Sequence, residues 1–255
     1  MKLGIVVVLL LAIILSTWTL NIEENLVLDF LNHLNLKHGI VFFCGGISAN
    51  IRNLLRNDTK YMGAFDMNSD DFQQNSLNLI MKIDHRLIGV IFDLTCNETE
   101  DILKDFSLGK YFNASYNWLM IAEDYEESVK LLKQQNINLD AEITLVVPDN
   151  STNSLMLFDI YNPCHKNGGI LNVTEKGNWN ENEGFKVTLT QHKIYRRSNL
   201  NGVTFEAGVV ATEVPKHQTL LEYMESDENV QFDAQHRLNY KLFKLLSVQH
   251  NFSYV

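Results

Sequence analysis

Through the first two thirds of the chain, short apolar runs alternate with amphipathic stretches, most clearly between Leu87 and Met120. Leu87 to Leu94 and Trp118 to Ala122 are each short enough for a buried strand, and the residues between them follow a helical pattern. Parallel strands need a crossover of about a dozen residues, so this stretch predicts a βαβ unit. Upstream, Ile22, Leu26, Phe30, Leu31 and Leu34 recur at helical spacing before Gly39, and Ile40 to Cys44 predicts a strand. Ser48 then caps a helix over Ala49 to Asn57, Tyr61 to Asp66 gives a weaker strand, and Ser69 caps a helix bearing Phe72, Leu77, Ile80, Met81 and Ile83. Downstream, Glu123 to Ile137 is helical, with acids early and Lys130 and Lys133 late, as a helix dipole favours. Ile143 to Val147 is another strand, ended by Pro148. The order predicts an α/β fold with an open, mostly parallel sheet and flanking helices.

From Asp149 the alternation stops. Leu155 to Ile160 predicts a strand, Asn162 to Gly184 is read as loop and hairpin, and Phe185 to Ile194 alternates as a strand with one face in water. Tyr195 to Asn201 is polar and basic and marks a boundary, giving an N-terminal domain over 20–195 and a second unit over 196–255. In that unit Val203 to Thr212 is strand-like, Pro215 breaks it, and Phe232 to His250 forms a helix with Leu238, Leu242, Leu245 and Leu246 on one face. Asn251 to Val255 opens a further strand, so the unit is too short to be a complete domain.

The start of the chain changes the picture of where it resides. One Lys precedes an apolar run from Leu3 to Leu15, followed by small polar residues, so 1–19 is read as a signal peptide. The run falls short of the about 20 residues that span a bilayer. Six Asn-X-Ser/Thr sequons, at Asn57, Asn97, Asn113, Asn150, Asn172 and Asn251, fit passage through the secretory pathway and are candidate glycosylation sites. At 45% hydrophobic and 20% charged residues the 255-residue chain can build a core, and its net charge of -10 disfavours nucleic acid and anionic lipid as general partners.

Candidate chemistry is sparse. Cys44-Gly45-Gly46 follows a strand and precedes a helix, where α/β proteins cradle phosphates, but it lacks the further residues of a dinucleotide fingerprint or a P-loop and is read as a tight turn. Of three cysteines, Cys44 and Cys96 each end a predicted parallel strand, and those strands are neighbours in the common doubly wound order, which makes them the candidate disulfide. Cys164 remains open to pairing with either of them or with a cysteine outside this chain. Asp66, Asp93 and Glu123 fall near strand ends, but with no nucleophile motif or close His they are read as turn and cap residues. The histidines show no metal-ligand spacing, and Arg196 with Arg197 is read as a solvated boundary rather than an anion site. No catalytic residue, cofactor or metal is expected, and binding or interaction is favoured over an enzyme; a secreted α/β binding or enzyme domain is the alternative.

Three stretches carry a resemblance: HRLIGVIFDLTCNETEDILKDFSLGKYFNASYNWLM, YNPCHKNGGILNVTEKGNW and IYRRSNLNG. Together they resemble the N-terminal region of insect ionotropic receptors, within them the Ir75a-like group, divergent relatives of the ionotropic glutamate receptors. The resemblance covers about residues 20 to 255. It implies half of a periplasmic-binding-protein-like amino-terminal domain. DAQHRLNYKLFKLLSVQHNFSYV, from Asp233 to Val255, is similar to the opening of the first lobe of the family's ligand-binding clamshell. It further implies a chemosensory ligand-gated cation channel subunit, detecting small odorants such as acids or amines and working with a co-receptor subunit in a tetramer at the plasma membrane. The stretch given stops before the family's agonist-contacting positions and pore, so no ligand-binding residue carries over and the chain is expected to be incomplete.

Overall fold

A computed structural model describes residues 23–57, 59–69, 72, 77–81, 87–149, 151–152 and 154–255. The signal peptide expected over 1–19, the sequon at Asn150 and much of the helix expected after Ser69 lie outside the described residues.

The chain runs α1 (Glu24–His33), β1 (His38–Phe43), α2 (Ala49–Leu55), β2 (Tyr61–Asp66), α3 (Leu77–Met81), β3 (Ile88–Asp93), α4 (Thr99–Leu108), β4 (Tyr116–Ile121), α5 (Tyr125–Lys133) and β5 (Glu142–Pro148). The sheet continues with β6 (Leu155–Tyr161), β7 (Asn172–Asn180) and β8 (Gly184–Val187). Its eight strands lie in the order β2-β1-β3-β4-β5-β6-β7-β8, parallel from β2 to β5 and antiparallel from β5 to β8. The parallel part is the doubly wound arrangement, and its order reverses between β1 and β3.

Two cores fill the two faces. On one, Phe106 of α4 sits at the centre of an aromatic cluster, 5.3 Å from the Phe42 ring, 5.6 Å from Phe92 and 4.9 Å from Trp118, centroid to centroid. On the other, Leu26, Phe30 and Leu31 of α1 and Ile51 and Leu54 of α2 pack on Val41, Ile91, Leu119 and Val146. The strands β3 and β4 are buried on both faces, which is why they show as unbroken apolar runs rather than alternating ones. Local signals set the helix starts: Ser48 Oγ accepts from Ile51 N at 3.2 Å, and Asp124 Oδ1 accepts from Glu127 N at 2.7 Å.

Where expectation and structure differ, long-range packing decides. Asn162–Gly184, expected to be loop and hairpin, holds the nine-residue strand β7, whose polar sequence pairs along the whole of β6. The register shifts between Leu157 and Phe158, facing Gly177 and Glu175, so Lys176 is the extra residue of a β-bulge. A side chain at Gly177 would put Cβ 2.1 Å from Lys186 O, so only glycine fits there. The strand expected over Phe185–Ile194 stops at Val187, and the chain turns into the short helix α6 (Lys193–Arg196).

Beyond it stand β9 (Thr204–Phe205), α7 (Leu220–Glu225), α8 (Ala234–His250) and β10 (Ser253–Tyr254). Strands β9 and β10 pair in parallel, making a small crossover unit of their own. The long strand expected over Val203–Thr212 is thus two residues long, and α7, held by a Thr219/Glu222 capping box, is an element that periodicity alone misses. Among the described residues no helix is long and apolar enough to cross a membrane.

Candidate functional site

In open α/β sheets, ligands bind outside the carboxyl ends of the strands where the order reverses. Here that place lies beyond Phe43 and Asp93, and it is occupied by a disulfide: Cys44 and Cys96 are joined, with Cα atoms 5.8 Å apart, at a sequence separation of 52. The turn after β1 has Gly45 and Gly46 at φ of 86° and 88°, a left-handed conformation that glycine adopts without strain. The Gly46 amide donates to Asp66 Oδ2 at 3.1 Å, so a carboxylate holds the N–H that a phosphate would need. Asp66 Oδ1 also accepts from Asn68 N, and Asp93 Oδ1 accepts from Thr95 N and Oγ1 at 2.9 and 2.7 Å. Both aspartates thus act as turn residues.

Burial pushes the Asp93 carboxyl above the ordinary carboxylate range; the bonds from Thr95 oppose that shift and nearby Glu123 adds to it. The sulfurs of Cys44 and Cys96 and a carboxylate oxygen of Asp93 lie within 4.8 Å of one another. A disulfide leaves neither sulfur as a thiolate, so only the carboxylate offers a strong metal ligand. Beside the staple is a cleft of about 410 Å³ between the ends of β3 and β4, lined by Thr95, Asn97, Glu100, Glu123 and Glu127 among others. Its acids favour no anionic ligand, and the Asn97 sequon lies on its wall.

The other described sequons, at Asn57, Asn113, Asn172 and Asn251, are distributed over the surface. Asn57 accepts through Oδ1 from Thr59 N and Oγ1, so its recorded bonds avoid Nδ2, the atom a glycan joins. Asn113 Nδ2 donates to Lys110 O, Asn172 Nδ2 to Ile170 O and Asn251 Nδ2 to Asn199 Oδ1, local bonds at surface turns and termini. Cys164 carries a free thiol, half-buried before a 3₁₀ turn at His165–Asn167.

A second assembly lies at the junction, and it overturns the expectation of a solvated Arg pair. Arg197 is 3% exposed; its Nη1 donates to Leu139 O and Ala141 O, both at 2.7 Å, and its Nη2 to Asp159 Oδ1 at 2.9 Å. Arg196 Nη1 bonds the other carboxylate oxygen, Oδ2, and the Arg197 guanidinium stacks 4.6 Å above the Tyr161 ring. The bulge on β7 aims Lys176 Nζ at Thr144 Oγ1, 2.7 Å away, and burial lowers that ammonium's pKa against the pull of Asp159 and Glu142. Asp159 was missed by the sequence reading, although a lone carboxylate inside the apolar strand LMLFDIY is itself a signal of a buried partner.

A third feature is the bare apolar stripe of α8: Leu238, Leu242 and Leu245 are all more than half exposed. The opposite side packs inward, with the Phe243 ring 5.2 Å from Phe252 and 5.1 Å from Tyr254.

These features define a class: a doubly wound α/β domain with a disulfide at its switch point, followed by a small parallel crossover of β9, α8 and β10. Sequence comparison supplies the family. A family model described as "Ionotropic receptor 75a N-terminal" matches residues 21–210, and the chain belongs to that family. It is 25% identical over 175 residues to Ionotropic receptor 75a of Drosophila sechellia and, to the same degree, to that of Drosophila melanogaster. The match covers 62% of this chain and 28% of each relative, so the chain spans well under a third of the curated relatives it matches.

Proposed function

We propose that this chain is the N-terminal extracellular part of a chemosensory ligand-gated cation channel subunit, an ionotropic receptor for small odorants such as acids or amines. In that role residues 20–195 form the amino-terminal domain, and 196–255 open the ligand-binding lobe. The observation that carries the reading is the division of labour across the junction. The first domain has its crevice stapled by Cys44–Cys96, whereas the second unit presents an unfinished apolar face on α8. A stripe of leucines at i, i+4 and i+7 is what a helix offers to a further layer. The first domain then serves folding and assembly, and odorant contact falls to the lobe that α8 begins.

Export follows from the signal peptide at 1–19, glycans at Asn57, Asn97, Asn113, Asn150 and Asn172 keep the surface of the first domain soluble, and one at Asn251 does the same for the second unit. The working receptor pairs with a co-receptor subunit of the same family in a tetramer at the plasma membrane. Two experiments test the proposal. The coding sequence after Val255 should continue into about three apolar segments, each of about 20 residues. A receptor carrying this region, expressed with a co-receptor subunit, should pass cation current on exposure to some member of a panel of small acids and amines. Normal surface delivery of both subunits with no current to any of them would count against the channel reading.

A further inference from the structure

The junction between the two units has the composition of a tether but the bonding of a bracket. Its first residue, Lys193, pairs with Glu142 on β5. Arg196 and Arg197 then grip both oxygens of Asp159, a carboxylate in the middle of β6 that is 1% exposed. Arg197 adds two backbone carbonyls from the turn before β5, so one guanidinium ties together three separate points of the first domain. The bidentate, planar fork of arginine suits such a site, and lysine would not reproduce it.

The same ten residues hold the other unit from its far side. Leu200 N donates to His250 O and Gly202 N to Asn251 O, both at 2.8 Å. His250 Nδ1 lies 2.9 Å from Ser198 O, and Asn251 Nδ2 donates to Asn199 Oδ1 at 3.0 Å. All of these partners sit at the carboxyl end of α8. A further bond crosses directly, from Asn167 Nδ2 to Thr204 O on β9.

We propose that the Arg196–Arg197 clamp on Asp159 makes residues 193–202 a rigid arm that fixes the orientation of α8 relative to the eight-stranded sheet. The two arginines are positioning residues: neither faces the cleft described above, and their effect passes through α6 to the last turn of α8. In a complete receptor, and resting there on the reading of 196–255 as the opening of the ligand-binding lobe, the arm would carry lobe movement to the N-terminal domain instead of letting it dissipate. The rigidity itself does not depend on that reading.

The test uses the exported chain, residues 20–255, with its disulfide intact and Cys164→Ser, spin-labelled at Lys104→Cys on α4 and Gln249→Cys on α8, both exposed positions. Pulsed dipolar spectroscopy should give a single narrow distance distribution. In Arg197→Gln, where Asp159 keeps Arg196, the distribution should widen towards that of a free tether, on the order of 15–20 Å for about ten residues. Tryptophan emission from Trp118 and Trp179 should stay unchanged, showing the first domain intact. A broad distribution in the parent chain overturns the proposal, as does a narrow one in a folded Arg197→Gln protein. If Arg197→Gln unfolds the first domain, Arg196→Gln, which leaves the more buried arginine in place, decides instead: widening supports the clamp and an unchanged distribution overturns it.

Discussion

Asp93 shows how one buried carboxyl sets a pH dependence. Its folded pKa lies above the ordinary 3.8, chiefly through burial. Between those two values the folded state holds the proton more firmly than the unfolded state does. Stability attributable to Asp93 is therefore greatest at low pH and is lost as pH rises through the folded value. Asp93→Asn keeps an oxygen for the two bonds from Thr95 and removes the charge. The expected outcome is a melting temperature at pH 7 equal to or above that of the parent, with a flatter slope between pH 4 and neutrality. A loss of several degrees would show that the charge itself holds the turn. In the complete receptor, any effect of this change should appear in folding or surface delivery before it appears in the response to ligand.

At the scale of elements, what the sequence disclosed and what it hid have a common cause. Strands β3 and β4 and helix α4 were legible because burial on both faces, or on one helical face, leaves a periodicity that needs no knowledge of neighbours. Strand β7 was not, since its polar residues are ordered by pairing with β6, and its bulge at Lys176 breaks the period. For the same reason the Arg pair looked solvated: the residue that buries it, Asp159, is 37 positions away from Arg196. The disulfide partners could be put forward because strand ends and sheet order can be read locally, whereas the acidic cleft beside the bond, which gathers Glu100, Glu123 and Glu127, could not. The aromatic core gives the element-level prediction. Phe106 is fully buried among the Phe42, Phe92 and Trp118 rings. Phe106→Ala should cost about 3–5 kcal/mol in denaturant unfolding, with the cavity accounting for much of it. A cost under about 1 kcal/mol would mean the rings collapse into the gap.

Taken whole, the molecule joins a packed eight-stranded sheet to a smaller unit whose longest helix keeps an apolar stripe exposed. The apolar stripe of α8 is the sort of surface that isolated proteins bury against copies of themselves. The exported chain, residues 20–255, should therefore self-associate in sedimentation at micromolar concentration, and Leu242→Lys with Leu245→Glu should return it to monomer without lowering the melting of the first domain. Association that persists unchanged in the double variant would place the contact elsewhere. The covalent staple bears on the first domain. Replacing both Cys44 and Cys96 by Ser should destabilise it by about 2–4 kcal/mol, the usual range for a native disulfide, read in denaturant unfolding. The bond also has a topological consequence. It encloses α2, β2, α3 and β3 in a covalent ring, so the backbone can be cut once anywhere inside that ring and the polypeptide is still one molecule. A protease acting in that interval should give a single band without reductant and two with it, and the nicked protein should keep α1 and β1 joined to α4 and every strand from β4 onward.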